Sequence, residues 1–217
     1  MDINRAMLWN GLTNLGDTVK LKLKVDPWEC VRDLEQFKDN WCPYNVKKDK
    51  VNNRWGLPIT SHSGDVMDNY HLNSFGHMQR YHDVEMKEEN FTTPTEVYHK
   101  MPELAKLVDV FSPDIGRVHL LRVDQGGFFP PHRDSKILDI TCFRVITLCH
   151  NCKRSDFNFI YEDRLLNLKP GVPYYINTRK VHNVFSYVDD SVQCVLNVPL
   201  TAENYKGISR HLSYDTM

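Results

Sequence analysis

Three side chains in the second half of the chain have the types and spacing to hold a metal ion. The run Gly126-Gly127-Phe128-Phe129-Pro130-Pro131-His132-Arg133-Asp134 sets an imidazole and a carboxylate two positions apart. On an extended strand, residues i and i+2 leave the same face. A second imidazole, His182, comes much later, after the segment Lys169-Pro170-Gly171 and just before Asn183-Val184-Phe185. Two imidazoles and one carboxylate on one side of a divalent ion leave the opposite coordination positions free, the open arrangement that non-haem Fe(II) chemistry needs. Oxygen and a chelating co-substrate would fill those positions. The plainer alternative is an ordinary ion pair after a Pro-Pro turn, with a core histidine elsewhere, and it requires the strand order that follows to be coincidental.

Short strands would have to bring these residues together. From Arg117 onward, segments rich in Val, Ile, Phe, Tyr and Thr cover 117–124, 128–132, 141–149, 156–161, 164–168, 173–177, 182–188 and 192–199, separated by Gly, Pro, Asn and Asp. Such a series predicts an antiparallel sandwich or jelly roll. The first half reads differently. Asp26 followed by Pro27 predicts a capped helix start, with Trp28, Val31, Leu34 and Phe37 on its apolar side. A second helical region after Thr93-Pro94 carries Val97, Met101, Leu104, Leu107 and Val108, with a break at Pro102. Between them, Arg54 to His62 reads as a strand leading into a His- and Asn-rich stretch, 61–90. Helices first and strands later predicts helices packed on the outer face of one sheet. The expected division is a helical and extended region, 1–116, that packs on the barrel and shapes its entrance, and a catalytic core, 117–217, in one structural domain.

The order of helical region, short strand, His-x-Asp, strand series, Lys-Pro-Gly turn, aromatic strand and distal His resembles the Fe(II)/2-oxoglutarate-dependent dioxygenases of the double-stranded β-helix (cupin-like jelly-roll) fold over residues 117–200. Around Cys142-Phe143-Arg144 and His182-Asn183-Val184-Phe185 it is most similar to the aspartyl/asparaginyl β-hydroxylase branch, which includes hydroxylases of free proline. The resemblance implies that His132, Asp134 and His182 hold Fe(II), that 2-oxoglutarate chelates it and is converted to succinate, and that an amino-acid residue, in a protein or free, is hydroxylated with molecular oxygen. Ascorbate would be supportive. A halogenase is disfavoured, because that chemistry vacates the carboxylate position for halide. The chain departs from the family on its last strand, where a basic residue is usual and Val192, Gln193 and Cys194 stand instead. Arg144, which interrupts an apolar strand, is the expected replacement. Gln193 and Asn197 are candidates for further hydrogen bonds to the co-substrate, and Arg122 and Arg179 for further cations. The missing basic residue also keeps open a reading from another class, a cupin-like protein that binds a metal or ligand and turns nothing over.

Composition narrows the field. With 27 Lys+Arg against 28 Asp+Glu the net charge is −1, so nothing pulls the chain as a whole towards nucleic acid. No apolar run approaches the length of a membrane span and the mean hydropathy is −0.50. The amino terminus does not read as a secretory signal, which makes the cytosol the default. The six Cys are scattered and mostly flanked by apolar residues, as buried thiols are. Cys149-His150-Asn151-Cys152 has half a zinc-site spacing without a second half, and reads as a hairpin turn. His62, His71, His77 and His82 crowd one loop-like stretch with no ligand spacing, and with Trp55 they are expected near the substrate entrance.

Overall fold

A computed structural model describes residues 3–45, 53–67, 74, 77–78, 80, 86–134 and 141–213. In chain order its elements are α1 (Ile3–Asn14), β1 (Thr18–Lys20), α2 (Pro27–Leu34), β2 (Cys42–Pro43), β3 (Arg54–Pro58), β4 (Thr60–Ser61), β5 (Thr93–Pro94), α3 (Glu96–Lys100), α4 (Pro102–Asp109), β6 (Val118–Val123), β7 (Phe128–His132), β8 (Cys142–His150), β9 (Phe157–Tyr161), β10 (Arg164–Leu165), β11 (Tyr174–Ile176), β12 (His182–Ser186), β13 (Ser191–Pro199) and α5 (Ala202–Arg210). They form a mainly β jelly roll of the double-stranded β-helix kind, with flanking helices. The larger sheet runs β1-β11-β8-β13-β6-β3-β2 and the smaller β10-β9-β12-β7, and every pairing is antiparallel. Among the described residues no helix is long and apolar enough to cross a membrane.

Two cores account for the apolar character of the long strands. On the outer face of the large sheet, Phe143, Val145, Cys194, Leu196 and Val198 pack against Leu12, Leu104, Leu107 and Phe111 from the helical side. Between the sheets, Leu121, Ile146, Leu148 and Val195 meet Phe157, Phe159, Tyr161 and Val184. A strand covered on both faces is nearly continuous in hydrophobicity, and all nine residues of β13 are buried.

The helix signals operate through their caps. The Asp26 carboxylate accepts from the Trp28 N–H at 2.9 Å and Pro27 fills the first turn. Thr95 accepts from Val97 N–H and starts α3, and Pro102 then opens α4, so the predicted break falls where expected. Trp28 corrects the expected apolar stripe: it is 83% exposed, and α2 turns Cys30 and Asp33 inward instead. Leu34 packs at the edge of the outer core and Phe37 is buried in the short 3-10 turn that follows. The segment expected at 164–168 pairs only over β10, two residues long. The six Cys form no disulfide among the described residues, and five of them are buried.

The Lys-Pro-Gly turn has a specific steric reason. Gly171 has a φ of +74°, and a Cβ there would lie 2.4 Å from the Val25 carbonyl oxygen. That left-handed close approach is open to glycine, and it seats the loop before β11 against the start of α2.

Candidate metal centre

His132 is the last residue of β7, and Asp134 lies just past the strand, its N–H donating to the Thr178 carbonyl at 3.0 Å. Strict alternation would turn His132 away from the face that carries Phe129. An irregularity between β7 and β12 across Pro130-Pro131 resets the register, so that His182 pairs opposite His132 while Val184 pairs opposite Phe129. Such bulges re-aim side chains beside active sites. Both imidazoles thereby face one cavity, with ring centroids 4.3 Å apart.

The donor atoms converge. His132 Nε2 lies 3.2 Å and His182 Nε2 3.7 Å from Asp134 Oδ1, and one ligand atom from each residue falls within 4.8 Å of the others. The far ring nitrogens are held by backbone carbonyls: His132 Nδ1 donates to Pro130 O at 2.7 Å and His182 Nδ1 to Lys180 O at 3.0 Å. A proton fixed on Nδ1 leaves Nε2 as the ligating atom, the usual support of a metal-bound imidazole. Phe159 stacks on His182 at 5.9 Å and fixes the ring plane.

Electrostatics fit the same chemistry. Burial lowers the pKa of His182, which keeps the ring neutral. Burial works against a charged His132 as well, but the hydrogen bond and charge of Asp134 outweigh it and raise that pKa. Burial would raise Asp134 too, yet the His132 hydrogen bond and the charges of Arg144 and His182 hold its carboxyl well below the usual range. A divalent ion would replace the proton that His132 shares with Asp134. The donor set of two nitrogens and one carboxylate oxygen therefore fits an imidazole-tolerant divalent ion such as Fe(II).

The cavity measures about 590 Å³. It is lined by Arg54, Arg80, Arg117, Arg133 and Arg144 against two carboxylates, Glu88 and Asp134, and its apolar wall comes from Leu121, Ile146, Phe159, Val184 and Val195. Of the sequence candidates, Arg144, Gln193 and Asn197 line it with the ligand trio. Arg144 is engaged at both ends of its guanidinium: Nη2 donates to Glu88 Oε1 at 3.2 Å and Nε lies 3.4 Å from Asp134 Oδ2. Asn197 pairs opposite Arg144 across β13 and β8, and its side-chain amide donates to the Arg117 carbonyl at 2.6 Å. Gln193 is buried, and its Oε1 has no hydrogen-bond partner among the described residues.

Other expectations are corrected. Arg122 sits outside the cavity between Trp41 and Trp55, each at 5.1 Å, and pairs with Asp124 and Asp190. Arg179 lies over Trp9. Trp55 donates to Asp124 at 2.6 Å and faces away from the cavity, because its neighbour Arg54 takes the inward face of β3 and lies over Phe129. Of the loop histidines, His77 lines the cavity, His62 does not, and His71 and His82 lie outside the described residues. The sequence reading missed Arg54, Glu88, Arg117 and His119. Arg117 and Glu88 form a two-pronged buried ion pair, Nε to Oε2 at 2.8 Å and Nη2 to Oε1 at 3.0 Å. His119 is buried against Tyr44, and burial together with the Arg117 and Arg144 charges puts its pKa well below the ordinary value. A charged residue at the head of an apolar strand was the one available signal for Arg117.

No protein-family model and no curated protein matches this chain. Among solved structures it is similar to the viral collagen prolyl hydroxylase vCPH from Paramecium bursaria Chlorella virus-1 in its 2OG complex, at 9% identity and a TM-score of 0.47, over 85% of this chain and 96% of that one. It is also similar to KdgF from Halomonas sp., at 17% identity and a TM-score of 0.32, over 43% of this chain and 76% of that one. A third likeness is to YcfD, a ribosomal oxygenase from Escherichia coli with cobalt and succinic acid, at 15% identity and a TM-score of 0.33, over 48% of this chain and 28% of that one.

Proposed function

We propose that the chain is an Fe(II)- and 2-oxoglutarate-dependent dioxygenase that hydroxylates an amino-acid residue of the aspartyl/asparaginyl or prolyl type, free or within a peptide. The observation that carries this reading is the convergence of two imidazoles and one carboxylate, within 4.8 Å of one another, on the wall of a cavity of about 590 Å³. The bound iron and oxoacid would supply the oxidising power for C–H cleavage, with succinate and CO₂ released.

In this reading His132, Asp134 and His182 hold the metal, and the carbonyls of Pro130 and Lys180 keep the two rings in the ligating tautomer. Five guanidiniums against two carboxylates make the lining cationic, as a dianionic co-substrate requires. Arg144 takes a co-substrate carboxylate, with Asn197 opposite it across β13 and β8 and Gln193 further along the same inner face of β13. The apolar side chains Ile146, Phe159 and Val184 exclude water from the reacting centre. The chain's net charge of −1 suits an amino-acid or peptide substrate better than nucleic acid.

The test is uncoupled turnover. Purified protein given Fe(II), ascorbate, 2-oxoglutarate and oxygen is expected to release succinate, and His182→Ala or Asp134→Ala to release none. Succinate at the parent rate from either variant overturns the assignment. A parent protein that binds Mn(II) and releases no succinate would be a cupin-like binding protein.

A further inference from the structure

The centre described above leaves one buried carboxylate without a task. Glu88 belongs to a 3-10 turn (Glu88–Asn90) that precedes β5, and its side chain is 9% exposed. It reaches the cavity and meets two guanidiniums, those of Arg117 and Arg144. Arg144 in turn faces Asp134. Four charges thus alternate in sign in a row: Arg117, Glu88, Arg144, Asp134. The row ends on a residue assigned to the metal. Its far end is anchored, since the Arg117 N–H donates to the Glu88 carbonyl at 3.0 Å and the Arg117 carbonyl accepts from both the backbone and the side chain of Asn197.

We propose that Glu88 is a positioning residue for the metal centre, acting by drawing the Arg144 guanidinium away from Asp134. This rests on the metal-centre reading. The contacts give the direction of the effect. Arg144 donates a hydrogen bond to Glu88, whereas its approach to Asp134 is an ion pair without hydrogen-bond geometry, and a contact lacking that geometry is the weaker one. The two oxygens of Asp134 are divided: Oδ1 faces the imidazoles and Oδ2 faces Arg144. A guanidinium released from Glu88 would close on Asp134 and compete with a divalent ion for the same carboxylate, as oppositely charged partners in a low dielectric do. With Glu88 in place, Asp134 keeps enough free charge to act as a ligand. Glu88, His77 and Arg80 line the same cavity as the metal trio.

A plain structural clamp predicts something else. Loosening a clamp lowers affinity in every variant, whereas a competitor, once removed, raises it. The experiment is a cycle of Mn(II) dissociation constants, read from the signal of free Mn(II), for the parent, Glu88→Gln, Arg144→Gln and the double variant. A charge-assisted hydrogen bond corresponds to roughly 10- to 100-fold in an equilibrium constant, and an effect relayed through Arg144 falls at the lower end. Glu88→Gln is expected to weaken Mn(II) binding about tenfold and Arg144→Gln to tighten it by a similar factor. In the Arg144→Gln background, Glu88→Gln is expected to change nothing further, because the group it acts through is gone. An equal loss from Glu88→Gln in both backgrounds means that Glu88 acts by its field alone and overturns the proposal, as does an Arg144→Gln variant that binds no more tightly than the parent. Should Glu88→Gln fail to fold, Glu88→Asp, which keeps the charge and shortens the reach to Arg144, takes its place with the same expected order. A parent that binds no Mn(II) removes the metal-centre reading and this proposal together, whereas a parent that binds, with an additive cycle, removes this proposal alone.

Discussion

Replacing Arg117 with Gln should cost more stability than any surface ion pair in the molecule. Arg117 and Glu88 are 6% and 9% exposed at their side chains and share two hydrogen bonds, of 2.8 and 3.0 Å. Each charge-assisted bond is worth about 1.5–3 kcal/mol, so the pair loses roughly 3–6 kcal/mol before compensation. The Arg144 bond to Glu88 at 3.2 Å survives and relieves part of the stranded charge, which leaves about 3–5 kcal/mol, the usual cost of removing one partner from a buried pair. In a protein of this size each kcal/mol moves the melting temperature by about 2–4 °C, so the midpoint should fall by on the order of 10 °C. Urea unfolding and thermal melting followed by circular dichroism measure both quantities. Neutralising the pair in Glu88→Gln/Arg117→Gln should recover at least half of the loss, because no carboxylate is then left facing a missing cation. A loss under about 1 kcal/mol, the range of a solvent-screened pair, would refute the claim that this pair is desolvated.

Asp134→Ala and His182→Ala should each abolish succinate release while keeping a cooperative melting transition, because these side chains line the cavity instead of filling a core; a variant without any transition would make the residue structural. Arg144→Ala should raise the 2-oxoglutarate requirement roughly 10- to 100-fold, the loss of a charge-assisted contact, and an unchanged requirement would move the carboxylate anchor elsewhere. Gly116→Ala should destabilise by about 1–3 kcal/mol, since its Cβ would lie 2.6 Å from the Asn197 carbonyl oxygen and 2.9 Å from that of Glu88, both of them backbone atoms. An unshifted urea midpoint for that variant would contradict the close approach.

The strands were legible because their signal is local: β-branched and aromatic residues between Gly, Pro, Asn and Asp mark segments whatever they pair with. The metal trio was legible in part, for a reason that differs from the one first given. The parity argument for His132 and Asp134 assumed one extended strand, yet Asp134 lies beyond the end of β7 and the register shift at Pro130-Pro131 aims His132 inward. The terminal helices α1 and α5 left little trace. In α1, Met7, Leu8, Trp9 and Leu12 do not line up on one stripe, and Gly11 stands where the Tyr205 ring of α5 comes close. Trp28 misled for the opposite reason: its spacing suits a buried face, but a helix of eight residues shows only a narrow side to the core, and Cys30 and Asp33 occupy it. The row of alternating charges was illegible because Glu88 sits in a stretch without periodicity and finds its partners, Arg117 and Arg144, only across the fold.

Since β13 is enclosed on both sides, its odd and even positions answer to different demands. Gln193, Val195 and Asn197 line the cavity, while Val192, Cys194, Leu196 and Val198 belong to the helix-side core. A lineage of this fold could therefore exchange what it recognises by substituting every second residue, leaving the interleaved ones to keep the sheet anchored. On the same nine-residue strand, Gln193 is then the inner position with least to hold, because Val195 also packs between the sheets and Asn197 anchors the Arg117 carbonyl.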